Sequence, residues 1–416
     1  MVMSIKMRKN RFLLKLPGII LIVIFSVVSC KKDSEEEKAY DYFVSGQLVF
    51  SLPASSISAV IDNLDDQYPG LNDIKPYMTS GIKVYKIVYN TIVNGNPVQV
   101  SGLISIPDTE GAYPVLSFQH GTITENVYSP SEFPLALDNQ LVEFIASMGF
   151  VVLIPDYPGF GESADIPHPY LVKEPTVQSV INFLRTAEEI FPSEYPGTEI
   201  ENEYYLLGYS QGGWATMATH RKMELDFAGE FNLSGSVCGA GPYNIYDLLA
   251  EILELQEYPM PSYIGYILNS YSFYDQFSNP LTDILKEPYA SDLVSLYDGS
   301  MSLGEINNHL TTNISDLFNS DFLAAYASSD DYSSLRDAMV NNSISAWNTA
   351  VPLFLGHGDA DSDVYVSATE NMYDAMINAG TSPAICSKVI YSGLDHREAI
   401  VPCIRDGLLF ILDLRD

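Results

Sequence analysis

The sequence is poor in positive charge, in cysteine and in long apolar runs. Its 416 residues contain 21 lysines and arginines against 53 aspartates and glutamates, which gives a net charge of −32. A chain this acidic repels nucleic acid and anionic lipid headgroups, so nucleic-acid partners are excluded. The four cysteines form no Cys-x-x-Cys pair or Cys/His cluster, which argues against a structural zinc site. No metal and no cofactor are expected.

The longest early apolar run, Gly18–Val28, has eleven residues and is too short to span a bilayer, which needs about 20. It follows a basic stretch. Its last two residues begin the sequence Val-Val-Ser-Cys, which ends at Cys30. This pattern is typical of a lipoprotein signal peptide that is cut before the lipid-bearing cysteine. The alternative is an ordinary signal peptide followed by a coincidental cysteine. We predict a signal peptide over residues 1–29 and a lipid-anchored flexible tether over 30–45.

These assignments predict an exported bacterial lipoprotein at the outer membrane or cell surface, whose membrane contact comes from the N-terminal lipid. Three cysteines then remain in the folded part, Cys238, Cys386 and Cys403. An odd number leaves at least one thiol unpaired within a monomer, although an exported setting permits a disulfide. Cys386 and Cys403 flank one strand-turn-helix segment and are the favoured pair.

The order of apolar segments predicts an α/β fold. Two β-rich runs from Ile82 flank the turn Asn-Gly-Asn-Pro and indicate a hairpin. From residue 113, short buried strands alternate with amphipathic helices, which favours a mostly parallel sheet with helices on both faces. This alternation stops near residue 243 and resumes near 348. We therefore predict a core of residues 46–243 and 348–416, interrupted by a helical cap over 244–347.

Gly-Tyr-Ser-Gln-Gly at residues 208–212 follows an apolar strand and precedes a helix-compatible run. The G-x-S-x-G pattern alone is too common to be decisive. In this strand-to-helix context it predicts a nucleophile elbow, a sharp turn that exposes the serine hydroxyl. Ser210 is therefore the candidate nucleophile.

A serine hydroxyl needs a base, and in a fold with such an elbow the base follows both the nucleophile and an acid along the chain. His396, in the loop after the last predicted strand, meets this requirement. The other histidines either precede the serine, lie on its helix, lie in the predicted cap or precede every candidate acid; they are His120, His168, His220, His309 and His357. His396 is therefore the candidate base.

The acid should follow the preceding strand, where Leu-Phe-Leu-Gly-His-Gly-Asp-Ala-Asp-Ser-Asp-Val offers Asp359, Asp361 and Asp363. The pattern H-G-x-x-D-x-x-V selects Asp361, and Asp363 is the second choice. An oxyanion hole also needs two backbone N–H groups. Gln211, directly after the nucleophile, and Thr122, after the early His-Gly turn, are the candidates.

Asp156 opens the glycine-rich loop Asp-Tyr-Pro-Gly-Phe-Gly, which lacks the third glycine of a dinucleotide-binding fingerprint. We expect this loop to form a tight turn beside the site. Together with Phe-Gln-His-Gly-Thr, Gly-Tyr-Ser-Gln-Gly-Gly and Gly-Leu-Asp-His, taken in order, it resembles the α/β-hydrolase superfamily over residues 82–416. The chain also has the helix segment Arg-Thr-Ala at residues 185–187. With this segment, its motifs are most similar to those of the secretory lipase family (lipase A type).

This resemblance implies a helical cap between strands six and seven, hydrolysis of carboxylic esters of fatty acids, and a triad of Ser210, Asp361 and His396. The chain departs from the family in its lipoprotein anchor and in a cap that does not align. Six tyrosines of the cap either line an apolar acyl pocket or pack the cap itself; they are Tyr258, Tyr263, Tyr266, Tyr271, Tyr274 and Tyr289.

The favoured function is a serine esterase or lipase that cleaves a lipid or small-molecule ester through an acyl-enzyme. A serine peptidase is the first alternative, although residues 31–81 cannot hold the propeller common in prolyl-peptidase relatives. A carbohydrate esterase that removes acetyl or feruloyl groups is also compatible. From a different class, the chain could be an inactive hydrolase fold that acts as a binding lipoprotein.

Overall fold

The computed structural model describes residues 40–65 and 68–415, so the predicted signal peptide, Cys30 and most of the predicted tether lie outside the described residues. Within the described part, nine strands form one sheet in the order β1-β2-β3-β5-β4-β6-β7-β8-β9. Their bounds are β1 (Phe43–Leu52), β2 (Ile82–Val93), β3 (Asn96–Pro107), β4 (Gly111–Gln119), β5 (Val151–Pro155), β6 (Thr198–Tyr209), β7 (Leu233–Gly239), β8 (Leu353–Gly358) and β9 (Cys386–Tyr391).

The α-helices of the described part lie before, between and after these strands. Their bounds are α1 (Ala54–Leu64), α2 (Leu137–Glu143), α3 (Lys173–Glu194), α4 (Gln211–Asp226), α5 (Ile245–Leu253), α6 (Pro261–Phe273), α7 (Leu281–Ile284), α8 (Tyr289–Leu296), α9 (Leu303–His309), α10 (Ile314–Leu317), α11 (Ser320–Ala325), α12 (Ser333–Asn342), α13 (Ser367–Asn378) and α14 (Ile400–Asp413). None of the helices among residues 40–65 and 68–415 is both long and apolar enough to cross a bilayer.

The central strands run parallel and are buried on both faces, which confirms the predicted α/β fold. β5 shows why: Val151 and Leu153 pack into one apolar core, and Val152 and Ile154 pack into another. Successive side chains of a strand point to opposite faces, so a continuous apolar run requires cover on both sides. Helices α3, α4 and α13 supply residues to the first core, and α1, α2 and α14 supply residues to the second.

The first three strands pair antiparallel, and β2 and β3 form the predicted hairpin. Asn94 and Gly95 turn the chain with φ of 48° and 77°, the left-handed conformation that an Asn-Gly turn favours. β1 lies at the edge of the sheet and begins at Phe43. Residues 43–45, predicted as the end of the tether, therefore belong to the sheet.

Residues 244–347 contain helices α5 to α12 and add no strand to the sheet. Because β1 precedes the hairpin, the strands that flank this segment are the seventh and eighth of the observed sheet, one more than the predicted count. The segment packs into the same apolar core as α3 and α4. Most of the tyrosines predicted for the cap are buried there, including Tyr266 and Tyr271.

The predicted disulfide between Cys386 and Cys403 is wrong, because both thiols are free, as is that of Cys238. Cys386 belongs to the core on the α3 and α4 side, whereas Cys403 lies on α14 in the opposite core. The sulfur of Cys403 packs so tightly on the sheet that a Cβ added at Gly356 would lie 2.5 Å from it. The sheet therefore separates the two cysteines.

Glu143, at the end of α2, is fully buried, and neither carboxylate oxygen has a hydrogen-bond partner among the described residues. Burial raises the pKa of this carboxyl to about 8, from an ordinary value of 4.5. The folded state therefore keeps a proton that the unfolded chain loses above pH 4.5. The contribution of Glu143 to stability should be greatest below that value and fall by up to about 1.4 kcal/mol per pH unit between about pH 5 and 8.

Chemical denaturation of the wild type and of Glu143→Gln across this pH range measures the effect. Glutamine has the shape of the protonated acid and does not titrate, so the difference between the two curves isolates Glu143. We expect the variant to gain stability relative to the wild type as pH rises. Parallel curves would show that the carboxyl ionises freely in the folded protein.

Candidate active site

The sequence turns sharply at Ser210, between β6 and α4. Ser210 adopts φ 60° and ψ −125°, a conformation that costs free energy in a residue with a side chain. The turn also requires close backbone contacts. A Cβ at Gly208 would lie 2.4 Å from the Gly212 carbonyl oxygen, and one at Gly212 would lie 1.9 Å from that of Gln119. The two glycines of the motif are thus required by sterics.

His396 reaches this serine from the loop that follows β9. Its Nε2 lies 2.8 Å from Ser210 Oγ, within hydrogen-bond distance. The buried Tyr209 hydroxyl donates to the His396 carbonyl oxygen at 2.9 Å and so fixes the backbone of the histidine from the strand that carries the serine. The candidate base and the candidate nucleophile, 186 residues apart in sequence, are therefore in contact.

Asp361 contacts the His396 imidazole on the side opposite Ser210. Its Oδ2 lies 2.6 Å from His396 Nδ1, and its Oδ1 accepts the backbone N–H groups of Asp363 and Val364, each at 2.9 Å. Burial alone would raise the pKa of this carboxyl, but the hydrogen bonds from the two neighbouring histidines and these amides hold it well below its ordinary value. Asp361 is thus a buried carboxylate.

The two other candidate acids face elsewhere. Asp363 Oδ2 lies 3.5 Å from the Tyr263 hydroxyl. Asp359 accepts the backbone N–H of Gly393 at 2.6 Å. Of the three aspartates, the one selected by the H-G-x-x-D pattern contacts the histidine.

A second histidine, His357, holds the same carboxylate and was not expected there. It is fully buried on β8, and its Nε2 lies 3.0 Å from Asp361 Oδ2 and 2.8 Å from the Val364 carbonyl oxygen. Both neighbours accept hydrogen bonds, so Nε2 carries a proton, and Nδ1 lies 2.7 Å from the Thr369 hydroxyl. The sequence signal was present, because His357 opens the pattern that identified Asp361.

The two predicted oxyanion donors belong to segments that flank Ser210. Gln211 is the first residue of α4, and Gly121, beside Thr122, is close enough that a Cβ added to it would lie 3.8 Å from Ser210 Cβ. Neither the Thr122 nor the Gln211 backbone N–H donates to another described residue. Both amides are therefore available to an oxygen at the serine.

One histidine that was set aside as the base, His168, supports this region. His168 Nδ1 donates to the Pro158 carbonyl oxygen at 2.8 Å, and its Nε2 accepts from the Gln211 side-chain amide at 2.7 Å. Burial lowers the pKa of His168 to about 3, which keeps the ring neutral and able to accept. No local pattern signals this contact, because the two residues lie 43 positions apart.

The helical segment touches the site through tyrosines. Tyr266 stacks on Tyr170 with ring centroids 4.3 Å apart, and the Tyr170 hydroxyl lies 3.0 Å from Thr122 Oγ1. Tyr258 donates to the backbone oxygen of Asp363 at 2.8 Å. These tyrosines connect α6 and its neighbours to both sides of Ser210.

The glycine-rich loop after β5 is a tight turn, as expected. Asp156 is fully buried and accepts from the hydroxyls of Ser101 and Ser131 at 2.6 and 2.5 Å. A Cβ at Gly161 would lie 2.2 Å from this carboxylate. Asp156 therefore organises the loop, and Gly161 lets the backbone pass it.

Solved structures resemble this chain over most of its length. A Legionella pneumophila protein assigned to the hydrolases has a TM-score of 0.79 at 23% identity and covers 90% of this chain and 98% of its own. The rice cell wall degrading esterase LipA from Xanthomonas oryzae, in a ligand-bound form, has a TM-score of 0.77 at 21% identity, with 90% and 98% coverage. Candida antarctica lipase A in its closed state has a TM-score of 0.64 at 16% identity, with 89% and 82% coverage.

At these identities the solved structures establish the shared fold. No curated protein matches the chain. The secretory lipase family model matches residues 131–396, which include the strand-to-helix turn at Ser210, the Asp361 loop and His396. The chain therefore belongs to the secretory lipase family and is a carboxylic ester hydrolase of the α/β-hydrolase fold.

Proposed function

We propose that this protein hydrolyses carboxylic esters through an acyl-enzyme formed on Ser210, with His396 as general base and acid and Asp361 as the carboxylate that orients it. The observation that carries the proposal is the unbroken series of hydrogen bonds from Ser210 Oγ through His396 to Asp361, at 2.8 and 2.6 Å. These are the distances over which a proton can move as the nucleophile attacks.

In the first half of the reaction, Ser210 Oγ attacks the ester carbonyl carbon while His396 Nε2 takes the hydroxyl proton. Asp361 accepts from Nδ1–H and so stabilises the imidazolium that forms. The C–O bond to the alcohol then breaks, and Nε2 returns the proton to the departing oxygen. An acyl group remains esterified to Ser210.

The carbonyl oxygen becomes negatively charged in each tetrahedral intermediate. The backbone N–H groups of Thr122 and Gln211 would donate to it, and the N-terminal end of α4 adds a favourable dipole. In the second half of the reaction, water attacks the acyl carbon with His396 as base. Proton return to Ser210 Oγ releases the acid and restores the enzyme.

The surroundings of the site favour an apolar acyl group. Tyr170, Tyr263 and Tyr266 cluster beside Thr122 and Asp363, so a chain that leaves the carbonyl toward the helical segment would contact aromatic rings. We propose that residues 244–347 act as the cap of this site and residues 46–243 and 348–416 as its core. Lipid and small-molecule esters are the proposed substrates.

A second candidate substrate class is supported by the resemblance to LipA of Xanthomonas oryzae, an esterase described as degrading rice cell wall. Acetyl or feruloyl groups on plant polysaccharide carry the same ester bond. The core chemistry would be unchanged, and the groups that bind the acyl and alcohol portions would differ.

Hydrolysis of p-nitrophenyl esters from acetate to palmitate, beside acetylated and feruloylated xylan, separates these substrates. For a lipase-like pocket we expect kcat/KM to rise from acetate toward medium or long chains, because each buried CH₂ contributes up to about 0.8 kcal/mol. Release of acetate or ferulate from xylan, with poor turnover of longer chains, would favour the polysaccharide. Turnover of none of these esters would contradict the proposed function.

We also propose that the mature chain begins at a lipid-modified Cys30 and remains membrane-bound through that lipid. The support is the basic stretch, the short apolar run and the small residue before the cysteine. Expression of the full chain in a Gram-negative host should give a membrane-fraction protein with a lipid mass on its first residue. Cys30→Ser should abolish that mass and prevent its normal processing; lipid attached equally to this variant would contradict the proposal.

A further inference from the structure

A groove separate from the active site lies between α3 and α4, where it is closed by the segment after α12. Its volume is about 210 Å³. Arg221 and Lys222 line it from α4, Lys173 lines it from α3, and Ser345 lies on the third side. Arg221 follows Ser210 by eleven positions, so at 1.5 Å per residue it lies roughly 16 Å farther along the helix. The groove therefore does not share the reacting atoms.

Two of its cations have no carboxylate partner within residues 40–65 and 68–415, although the chain has 53 acidic residues. Among the described residues, the Arg221 side chain makes no ion pair or hydrogen bond, and its Nε is buried without an acceptor. Lys173 donates only to the backbone oxygens of Asn341 and Ser343. Burial, and then the proximity of Arg221, lowers the pKa of Lys173. A buried donor without an acceptor is costly, so an anion here would be favourable.

The groove also holds two acids, and these do not cancel its charge. Asp226 pairs with Lys222 at 2.6 Å, which uses the third cation. Glu174, on α3, also lines the groove; burial raises its pKa, and the charge of Lys222 opposes that rise. Arg221 is thus the cation that is available to a ligand.

The remaining walls are mostly apolar. Val177 and Ile181 from α3, Leu225 from α4 and Ile344 from the third side line the groove. A ligand that fits it needs an anionic end near Arg221 and an apolar body. An engineered cavity of about 150 Å³ holds benzene, so a volume of about 210 Å³ accommodates on the order of eight non-hydrogen atoms.

We propose that this groove binds a short-chain carboxylate, with the carboxylate on Arg221 and the alkyl chain against the α3 and α4 walls. A planar guanidinium suits a carboxylate because it can donate two parallel hydrogen bonds. The acid released by ester hydrolysis has this chemistry, and in that respect the choice of ligand rests on the proposed function. Binding itself requires no catalysis.

The test is isothermal titration calorimetry of sodium hexanoate into the full chain carrying Ser210→Ala, so that the outcome is independent of turnover. Hexanol supplies the alkyl chain without charge, and acetate supplies the charge without the chain. Leu225 is 52% exposed, so it can be changed without loss of the fold. Leu225→Lys and Leu225→Glu then place opposite charges at the groove.

We expect hexanoate to bind at least about tenfold more tightly than either hexanol or acetate. Arg221→Gln should weaken hexanoate binding by about tenfold or more, whereas Lys83→Gln, which removes an exposed cation elsewhere, should leave it within about twofold. Leu225→Glu should weaken it and Leu225→Lys should not.

Absence of hexanoate binding, or binding that neither Arg221→Gln nor Leu225→Glu weakens, would overturn the proposal. Equal affinity for acetate would overturn the role of the alkyl walls, and equal affinity for hexanol would overturn the role of Arg221. None of these results bears on ester hydrolysis, which is measured with the wild-type protein.

Discussion

Replacing Ser210 with alanine is expected to lower kcat for the best ester by at least about 10⁴-fold. The side chain removed is the proposed site of acylation, and no other hydroxyl among the described residues is hydrogen-bonded to His396 Nε2, which Ser210 Oγ contacts at 2.8 Å. Residual turnover would come from the oxyanion donors and from substrate binding alone. Initial rates with p-nitrophenyl esters, at enzyme concentrations high enough to detect a 10⁵-fold loss, provide the measurement.

Ser328→Ala is the matched control, because Ser328 is exposed in the helical segment and far from the elbow in sequence. Its kcat/KM should stay within about twofold of the wild type. Mass spectrometry of the wild type after rapid mixing with a slowly deacylating ester should locate the acyl group on Ser210. Turnover retained in Ser210→Ala, or an acyl group on another residue, would refute the proposed nucleophile.

The central fold could be predicted because each parallel strand is a short apolar run that is buried on both faces. β5, Val151–Pro155, is entirely buried and is recognised by its composition alone. β1 could not be recognised in the same way. Most of its residues are exposed at the sheet edge, with bulges in its pairing to β2, so its sequence shows no regular alternation.

Some contacts around Ser210 could likewise be predicted from the sequence, and others could not. Ser210, Asp361 and His396 could be chosen as candidates because each follows a strand within a recognisable motif, and the structure brings the three side chains into contact. The bond of His168 to Gln211 depends on how the loop after β5 folds back over α4, and no local pattern signals it. The Cys386–Cys403 pairing failed because closeness in sequence does not show on which face of a sheet a thiol lies.

The contact of His357 with Asp361 was not predicted, for a different reason. Because His357 precedes every candidate acid in the chain, the sequence sets it aside as the base. Chain order carries no information about which groups hold the acid. Asp361 Oδ2 receives N–H groups from both His357 and His396, and Oδ1 receives two backbone amides, so the four neighbours of this carboxylate are all donors.

This arrangement makes Asp361→Asn the second decisive substitution, with an expected loss of about 10⁴-fold in kcat. In either orientation the asparagine NH₂ group faces donors, either the two histidines or the amides of Asp363 and Val364. If His396 changes tautomer to accept from that NH₂, its Nε2 carries the proton and cannot take one from Ser210. We also expect a loss of about 1–3 kcal/mol in unfolding free energy, because buried donors lose their acceptor.

Asp363→Asn is the matched control, since it changes the neighbouring aspartate that was the second choice from the sequence. Its side chain faces Tyr263, so kcat/KM should fall less than about tenfold. Ester kinetics for both variants, with unfolding curves to separate misfolding from lost chemistry, give the comparison. A larger loss in Asp363→Asn than in Asp361→Asn would reassign the acid. A folded Asp361→Asn protein with near-wild-type kcat would show that His396 is oriented by its backbone bond to Tyr209 and not by the carboxylate.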